Sequence, residues 1–340
     1  MSAEFFSCDL YSKTLLAPVL SGCDVDGLSI VSGYASAAMA FHHLNELKDN
    51  GRLINVDLIY GMVKSDGITR SNHKGFQNLV QKRFKDFFSC SYLVSGEPVH
   101  AKVYIWSKGK TPVVAYAGSA NYSQIAFLNS IRREVLVPCD PIKAYDFFSS
   151  LRKDALNCID VSVEKRVSVG DKRRGENENS REAKTTEGLA DNSVTDKKSP
   201  YYGLEKATIS LLDKSGEVPT HSGLNWGQRP EYRREPNQAY FSVRGDLRKS
   251  DFFPPRGIYF TVLTDDNQVI QCARAQDTAK AIHTPYDNSI LGKYIRSRAN
   301  IPLGAKVTRE LLERYGRTTV DFYKIDSENY YMDFSVRSKK

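Results

Sequence analysis

The stretch Val99-His100-Ala101-Lys102-Val103-Tyr104-Ile105-Trp106, followed after one more apolar run by Gly118-Ser119-Ala120-Asn121, decides how this chain is read. The residues around His100 and Lys102 are β-branched and aromatic, so Val99 to Trp106 is expected to be a strand. Residues two apart on a strand point to the same face. An imidazole and an ammonium then stand side by side. Val113 to Ala117 reads as another strand, and the turn at its end brings in a hydroxyl and an amide.

Outward from this stretch, strand-like and helix-like segments alternate. Leu28 to Tyr34, Leu53 to Tyr60, Tyr92 to Val94 and Glu134 to Pro138 read as strands, and Ala35 to Leu47, Asn72 to Phe88 and Pro141 to Cys158 as helices. The last has a proline in its first turn, where the missing N–H costs nothing. Such alternation argues an α/β sandwich with helices flanking a largely buried sheet.

From Glu164 to Pro200 the character changes. Lys172-Arg173-Arg174 and the residues after it are charged, polar and nearly free of aromatics, without a period of two or 3.6. Such a segment cannot bury enough apolar surface to offset its ordering entropy, so it is expected to be a linker. Beyond Tyr201 two β-hairpins are expected. Ile258 to Leu263 pairs with Val269 to Arg274 across Asp265-Asp266-Asn267, and Thr319 to Ile325 with Tyr330 to Val336 across Asp326-Ser327-Glu328-Asn329. Short helices fit Asn288 to Arg298 and Thr308 to Tyr315.

The 340 residues suit two domains, with 41% hydrophobic content and a net charge of +8 that favours a polyanionic partner. No apolar run approaches the roughly 18 residues needed to span a bilayer, and Met1 to Phe6 lacks the pattern of a signal peptide, so a cytoplasmic protein is expected. Six scattered cysteines, with no Cys-x-x-Cys, fit reduced thiols rather than disulfides or a zinc site. No nucleotide-binding P-loop is present.

A nucleophile, a cation and neutral donors arranged as in His100, Lys102, Ser119 and Asn121 suit attack on a phosphodiester. No Asp/Glu pair demands a metal, and no cofactor is expected. His42, His43, His73, His221 and His283 read as surface or packing residues. The segment Asn225 to Tyr240 interleaves arginines, amides and aromatics with turn residues. Arg can bridge guanine, and Asn or Gln adenine, in the major groove. Asn225, Trp226, Gln228, Arg229, Arg233, Arg234, Asn237 and Gln238 are therefore candidate DNA contacts. A second arm would carry Lys280, His283, Thr284, Asn288, Lys293 and Arg296, with Arg298 beyond them.

The His-x-Lys and Gly-Ser-x-Asn pair resembles the signature of the phospholipase D superfamily. Glu134, in Arg132-Arg133-Glu134-Val135, falls where the nuclease branch carries an acidic residue at a strand start. The superfamily's usual Asp, five residues after the Lys, is replaced by Ser107, and Lys108-Gly109-Lys110 is inserted between the motif halves. That departure fits the restriction-endonuclease branch better than a lipase. The resemblance implies that His100 attacks phosphorus to form a phosphohistidine and that Lys102 and Asn121 hold the non-bridging oxygens. It further implies that Ser119 assists by a hydrogen bond and Glu134 orients a catalytic imidazole. The chemistry needs two histidines, one as nucleophile and one as acid for the leaving oxygen. One motif copy thus implies a homodimer with a single site on its two-fold axis.

The tail, through Phe252 to Leu263 and Tyr315 to Ile325, resembles the C-terminal domain of the NgoFVII-type restriction endonucleases, a B3-like pseudobarrel. The implied layout is a phospholipase-D-type nuclease domain over 1–163, a charged linker over 164–200 and a B3-like DNA-recognition domain over 201–340. The implied activity is that of a Type II-like, sequence-specific, metal-independent restriction endonuclease acting on double-stranded DNA and cutting at an offset. A cognate methyltransferase and an ATP-dependent, helicase-like protein are the implied partners. Two other classes stand beside it. One is a phosphodiesterase on lipid or RNA. The other is a catalytically inactive DNA-binding protein.

Overall fold

A computed structural model of the chain describes residues 5–6, 10–128, 133–171, 201 and 203–336. They fall into two compact units, Met1–Glu178 and Asn179–Lys340. Among the described residues no helix is long and apolar enough to cross a membrane.

The first unit is built on β1 (Phe5–Phe6), β2 (Gly27–Ser32), β3 (Asn55–Tyr60), β4 (Ile68–Thr69), β5 (Phe88–Leu93), β6 (Lys102–Lys108), β7 (Thr111–Gly118), β8 (Val135–Cys139), β9 (Ala155–Asn157) and β10 (Val169–Gly170). Eight of these form one sheet in the order β1-β8-β7-β6-β2-β3-β5-β9, while β4 and β10 pair separately. The strands β2, β3 and β5 run parallel, and β6, β7 and β8 antiparallel. The centre is apolar on both faces, as a helix-covered sheet requires. Val31, Ile59, Val103, Ile105 and Ala115 pack against Ala144 and Phe148 of the helix Pro141–Leu151. The alternate positions, Ile30, Leu58, Tyr104 and Trp106, are buried on the other side. The helix Ala37–Asp49 is capped by Ser36, whose hydroxyl accepts from the Met39 N–H. Because β6 opposes β2 with Ser32 across from Lys102, the ends of β2, β3 and β7 meet the starts of β6 and β8 at one edge of the sheet.

Several expectations shift here. The helix expected over 72–88 ends at Arg83, and Phe88 opens β5. The strand expected over 99–106 begins at Lys102, leaving His100 on the approach to it. The helix expected over 141–158 stops at Leu151, because Ala155–Asn157 pairs with β5 and the Val94 N–H donates to the Asp154 carbonyl at 2.9 Å. Part of the segment expected as linker folds with the first unit. Glu164 to Arg166 lie in a helical turn, and Val169–Gly170 pairs with Ile68–Thr69. The rest, including Lys172-Arg173-Arg174, lies outside the described residues.

The second unit carries β11 (Lys206–Ser210), β12 (Phe241–Ser242), β13 (Tyr259–Thr264), β14 (Val269–Ala275), β15 (Ala281–His283), β16 (Thr319–Lys324) and β17 (Asn329–Asp333). Their order is β11-β16-β17-β13-β14-β15-β12, and β11 and β12 approach each other, nearly closing a barrel. Phe241, Phe252, Phe253, Phe260, Phe322 and Tyr330 fill it. Both expected hairpins form, and β13 also pairs β17 in parallel. The helices Ser289–Arg298 and Arg309–Tyr315 lie within a residue of their expected starts and end where expected. The fold is thus an α/β sandwich followed by a nearly closed β-barrel.

Candidate active site and nucleic-acid interface

The motif residues converge at the sheet edge described above. His100 is exposed, while Lys102 is buried. The Lys102 Nζ lies 3.0 Å from each ring nitrogen of His100 and donates to the His100 carbonyl at 2.6 Å. Burial pulls the Lys102 ammonium below its ordinary value, and the charge of Glu134 pulls it back up.

The Gly-Ser-Ala-Asn turn is set by what surrounds it. A Cβ on Gly118 would lie 2.1 Å from the Val135 carbonyl oxygen, so only glycine lets β7 end this close to β8. The Ser119 N–H donates to that same carbonyl at 2.9 Å. The Ser119 hydroxyl accepts from the Val135 N–H at 3.0 Å and donates to Glu134 Oε2 at 2.5 Å. Below the turn, Tyr104 donates to the Ala120 carbonyl at 2.7 Å, and Tyr122 is fully buried. Asn121 Oδ1 accepts from the Tyr34 N–H at 3.0 Å, leaving the amide NH2 as the end that can donate to a ligand.

All five expected catalytic residues therefore stand at one place. One expected relation takes a different form. Within the chain Glu134 is hydrogen-bonded to Ser119 rather than to His100. The imidazole of His100 instead meets the ring of Tyr34, with centroids 5.6 Å apart and planes at 76°. Tyr34 was not singled out by sequence, since it belongs to no motif. Among the described residues no group of three or more His, Cys, Asp and Glu could hold a metal ion.

His43 and His73 prove to be packing residues. The His43 Nε2–H donates to the Leu15 carbonyl at 3.0 Å, and its Nδ1 accepts from the Tyr122 hydroxyl at 2.9 Å. Burial drives both histidines down to about 4.

In the second unit the DNA-contact candidates separate into two groups. Five are committed to the fold. Asn225 is buried, accepts from the Val307 N–H and donates to the Val307 and Pro219 carbonyls. Gln228 donates to the Pro236 and Gly304 carbonyls. Asn237, also buried, accepts from the Gly304 N–H and donates to Glu235. Thr284 is buried and donates to the Asp287 carbonyl. Arg296 is buried, with its guanidinium donating to the carbonyls of Ala305, Gly292 and Leu224. These side chains pin loops. Arg298 likewise grips Asp265 with both terminal nitrogens, at 2.9 and 2.6 Å.

The others are accessible to different degrees. Arg233 and Lys280 are exposed, and Arg233 has a φ of 52°, a left-handed conformation. The Arg234 guanidinium lies 4.4 Å from the Trp226 ring centre and 5.1 Å from that of Tyr232, while Arg229 lies 5.7 Å from Tyr232. His283 Nδ1 and Asn288 Oδ1 are 2.7 Å apart, and Lys293 faces Glu235 at 3.9 Å. Gln238 is half-buried, its main chain bonded to Gly227 and Glu235. Two tyrosines outside the expected set are exposed on these loops, Tyr232 at 62% and Tyr286 at 45%, the latter with a φ of 68°. An exposed aromatic beside arginines in a loop tip was the signal available.

Comparison with known proteins matches this division. Residues 8–165 match the family model described as the NgoFVII restriction endonuclease N-terminal PLD domain, and residues 201–326 that of the NgoFVII C-terminal B3-like DNA-binding domain. No curated protein matches the chain. Among solved structures, NucT from Helicobacter pylori is similar over 46% of this chain and 98% of its own, at 20% identity and a TM-score of 0.30. The phospholipase D family member Nuc from Salmonella typhimurium is similar over 46% and 97%, at 14% identity and a TM-score of 0.33. Polyphosphate kinase from Porphyromonas gingivalis is similar over 45% of this chain at 12% identity and a TM-score of 0.31, and the chain spans only 23% of that protein. With one family's two domain models falling on the two units in order, the chain belongs to the NgoFVII restriction endonuclease family.

Proposed function

We propose that this chain is a sequence-specific DNA endonuclease that works without a metal ion, through a covalent phosphohistidine. The observation that carries the reading is the meeting of His100, Lys102, Ser119, Asn121 and Glu134 at one sheet edge, in a chain whose second domain is of a DNA-binding family. A ring nitrogen of neutral His100 attacks phosphorus in line. The bond to the leaving oxygen breaks, and that oxygen takes a proton from a second imidazole. Lys102 and the Asn121 NH2 stabilise the charge gathered on the non-bridging oxygens. Lys102 supplies the positive charge that a metal supplies elsewhere. Water then attacks the phosphohistidine, gives its proton to the second imidazole and frees His100.

The second imidazole is the partner subunit's His100, because each chain has one motif copy. The nuclease domains thus form a homodimer with one composite site, which cuts the two strands in turn. Exposed Val135 and Val137 on β8, next to Glu134, support a covered surface there, as do Ile142 and Phe147 on the following helix.

The second domain reads double-stranded DNA with Trp226, Arg229, Arg233, Arg234, Gln238, Lys280, His283, Asn288 and Lys293, to which we add Tyr232 and Tyr286. Since reader and cutter are separate domains, cleavage falls at an offset from the recognised bases. A cognate methyltransferase protects the host's own sites, and any ATP-driven step comes from a separate helicase-like polypeptide. The test is plasmid DNA in EDTA with the native chain and with His100→Ala. Discrete fragments from the native chain alone support the proposal. Cutting by both, or by neither, overturns it, and the latter favours a binding-only protein. Hydrolysis of lipid or RNA with no action on DNA would point to the phosphodiesterase class.

A further inference from the structure

We propose that Tyr34 and Asp66 form a positioning pair that holds the nucleophilic imidazole and the Asn121 amide in register, an inference that rests on the endonuclease reading above. Glu134 is engaged by Ser119, and Lys102 flanks only part of the His100 ring. Tyr34 supplies another wall, its ring set nearly perpendicular to the imidazole at 5.6 Å. An edge-to-face contact of this kind favours one orientation of the imidazole over others. The same residue's N–H fixes Asn121 Oδ1, and its carbonyl accepts from the Ser32 hydroxyl at 2.5 Å. Ser32 Oγ in turn accepts from the Tyr122 N–H at 2.9 Å. One residue just past the end of β2 therefore references both halves of the motif, 66 and 87 positions away in sequence.

Asp66 fixes the tyrosine. The Tyr34 hydroxyl donates to its carboxylate. Asp66 ends the short helix Val63–Asp66, and its own N–H donates to the Met62 carbonyl at 3.0 Å. Met62 N–H donates to the Gly33 carbonyl at 3.1 Å, closing a ring of contacts back to Tyr34's neighbour. A packing role alone fits poorly. Tyr60 and Tyr92 pack in the core and are fully buried, whereas Tyr34 is only half-buried, beside the exposed His100.

The test uses the full chain with Tyr34→Leu, Tyr34→Phe, Asp66→Asn and the Tyr34→Phe/Asp66→Asn double variant. Single-turnover plasmid cleavage in EDTA, DNA affinity and thermal midpoint are measured for each. Tyr34→Leu is expected to slow cleavage about 10- to 100-fold, since an ångström of misplacement at a reacting group costs about 100-fold. Its DNA affinity should stay within about twofold of native, because Tyr34 lies in the nuclease domain. Tyr34→Phe and Asp66→Asn should each slow cleavage, and the double variant no more than the worse single, because they remove one bond. A native cleavage rate in Tyr34→Leu overturns the proposal. So does a double variant whose losses multiply, or a loss of rate that tracks a loss of thermal stability in Tyr34→Phe. A second readout does not need activity. The His100 ring protons should show a ring-current shift by NMR that is retained in Tyr34→Phe and lost in Tyr34→Leu. If the native chain fails to cut DNA, the endonuclease reading falls, and the NMR result alone decides: an unchanged His100 spectrum in Tyr34→Leu removes the positioning role.

Discussion

Replacing Gly33 with alanine should slow the nuclease far more than it lowers stability. The added methyl carbon would lie 2.8 Å from His100 Cδ2, 3.1 Å from its Cα and 3.3 Å from its carbonyl oxygen. Carbon atoms pack at about 3.5–4.0 Å, so the imidazole would have to retreat by about 0.7 Å or more. Gly33 does not have a left-handed φ, and its N–H bond to the Ala101 carbonyl at 3.0 Å survives in alanine, so the backbone itself is not strained. The closest clash falls on the exposed ring, which can move into solvent, while the Cα and carbonyl contacts ask the His100 backbone to give by a few tenths of an ångström. A displacement of this size implies a rate loss of about 10- to 100-fold, or roughly 1.4–2.7 kcal/mol in the barrier. Single-turnover cleavage of supercoiled plasmid in EDTA reads the effect, with DNA affinity and the urea midpoint as controls expected to stay near native. If Gly33→Ala cuts at the native rate while His100→Ala is dead, the reasoning from steric crowding is refuted.

Other outcomes come from the same structure. Arg296→Met strands carbonyls that the buried guanidinium now serves, and should cost about 3 kcal/mol in urea unfolding. A stable variant that has lost base preference would restore Arg296 as a reader. His43 and His73 are held neutral, with values of about 4 in the fold against 6.5 ordinarily. Their contribution is complete above pH 6.5 and fades as pH falls toward 4, by about 2 kcal/mol per histidine at pH 5. A urea midpoint equal at pH 7.5 and pH 5 would contradict this. Arg233→Ala and Lys280→Ala, if they contact phosphate, should each weaken binding to all duplexes alike and reduce the salt slope by about one. A variant that loses preference at a single base pair would instead mark a base contact.

The fold was legible where local patterns dominate. Alternating apolar residues around Asp265-Asp266-Asn267 announced a hairpin, and the doubly apolar Val103 to Trp106 a central strand. The convergence of the residues proposed as catalytic was legible because they occupy fixed places relative to strand ends. The partners that tertiary structure brings together were not. Asn225 looked like a base reader, yet its amide is satisfied by Val307, 82 residues on. Arg296 looked like a DNA contact on the second arm, yet it is buried with its donors on carbonyls. Residue type alone cannot distinguish an amide that reads a base from one that staples a loop, because both need the same donors and acceptors. Tyr34 was invisible for the converse reason, since its place beside His100 is made by the pairing of β2 with β6. The helix expected to reach Cys158 stopped early because an open sheet edge beside β5 claimed Ala155–Asn157.

The central claim is that an imidazole at position 100 breaks the DNA backbone through a covalent bond to phosphorus. Quenching a reaction of the full chain with end-labelled plasmid in EDTA under alkaline denaturing conditions, then mapping any protein–DNA adduct by mass spectrometry, tests it directly. The predicted result is a phosphoramidate on His100, absent from His100→Ala. Cleavage that requires magnesium and leaves no adduct on His100 would contradict it.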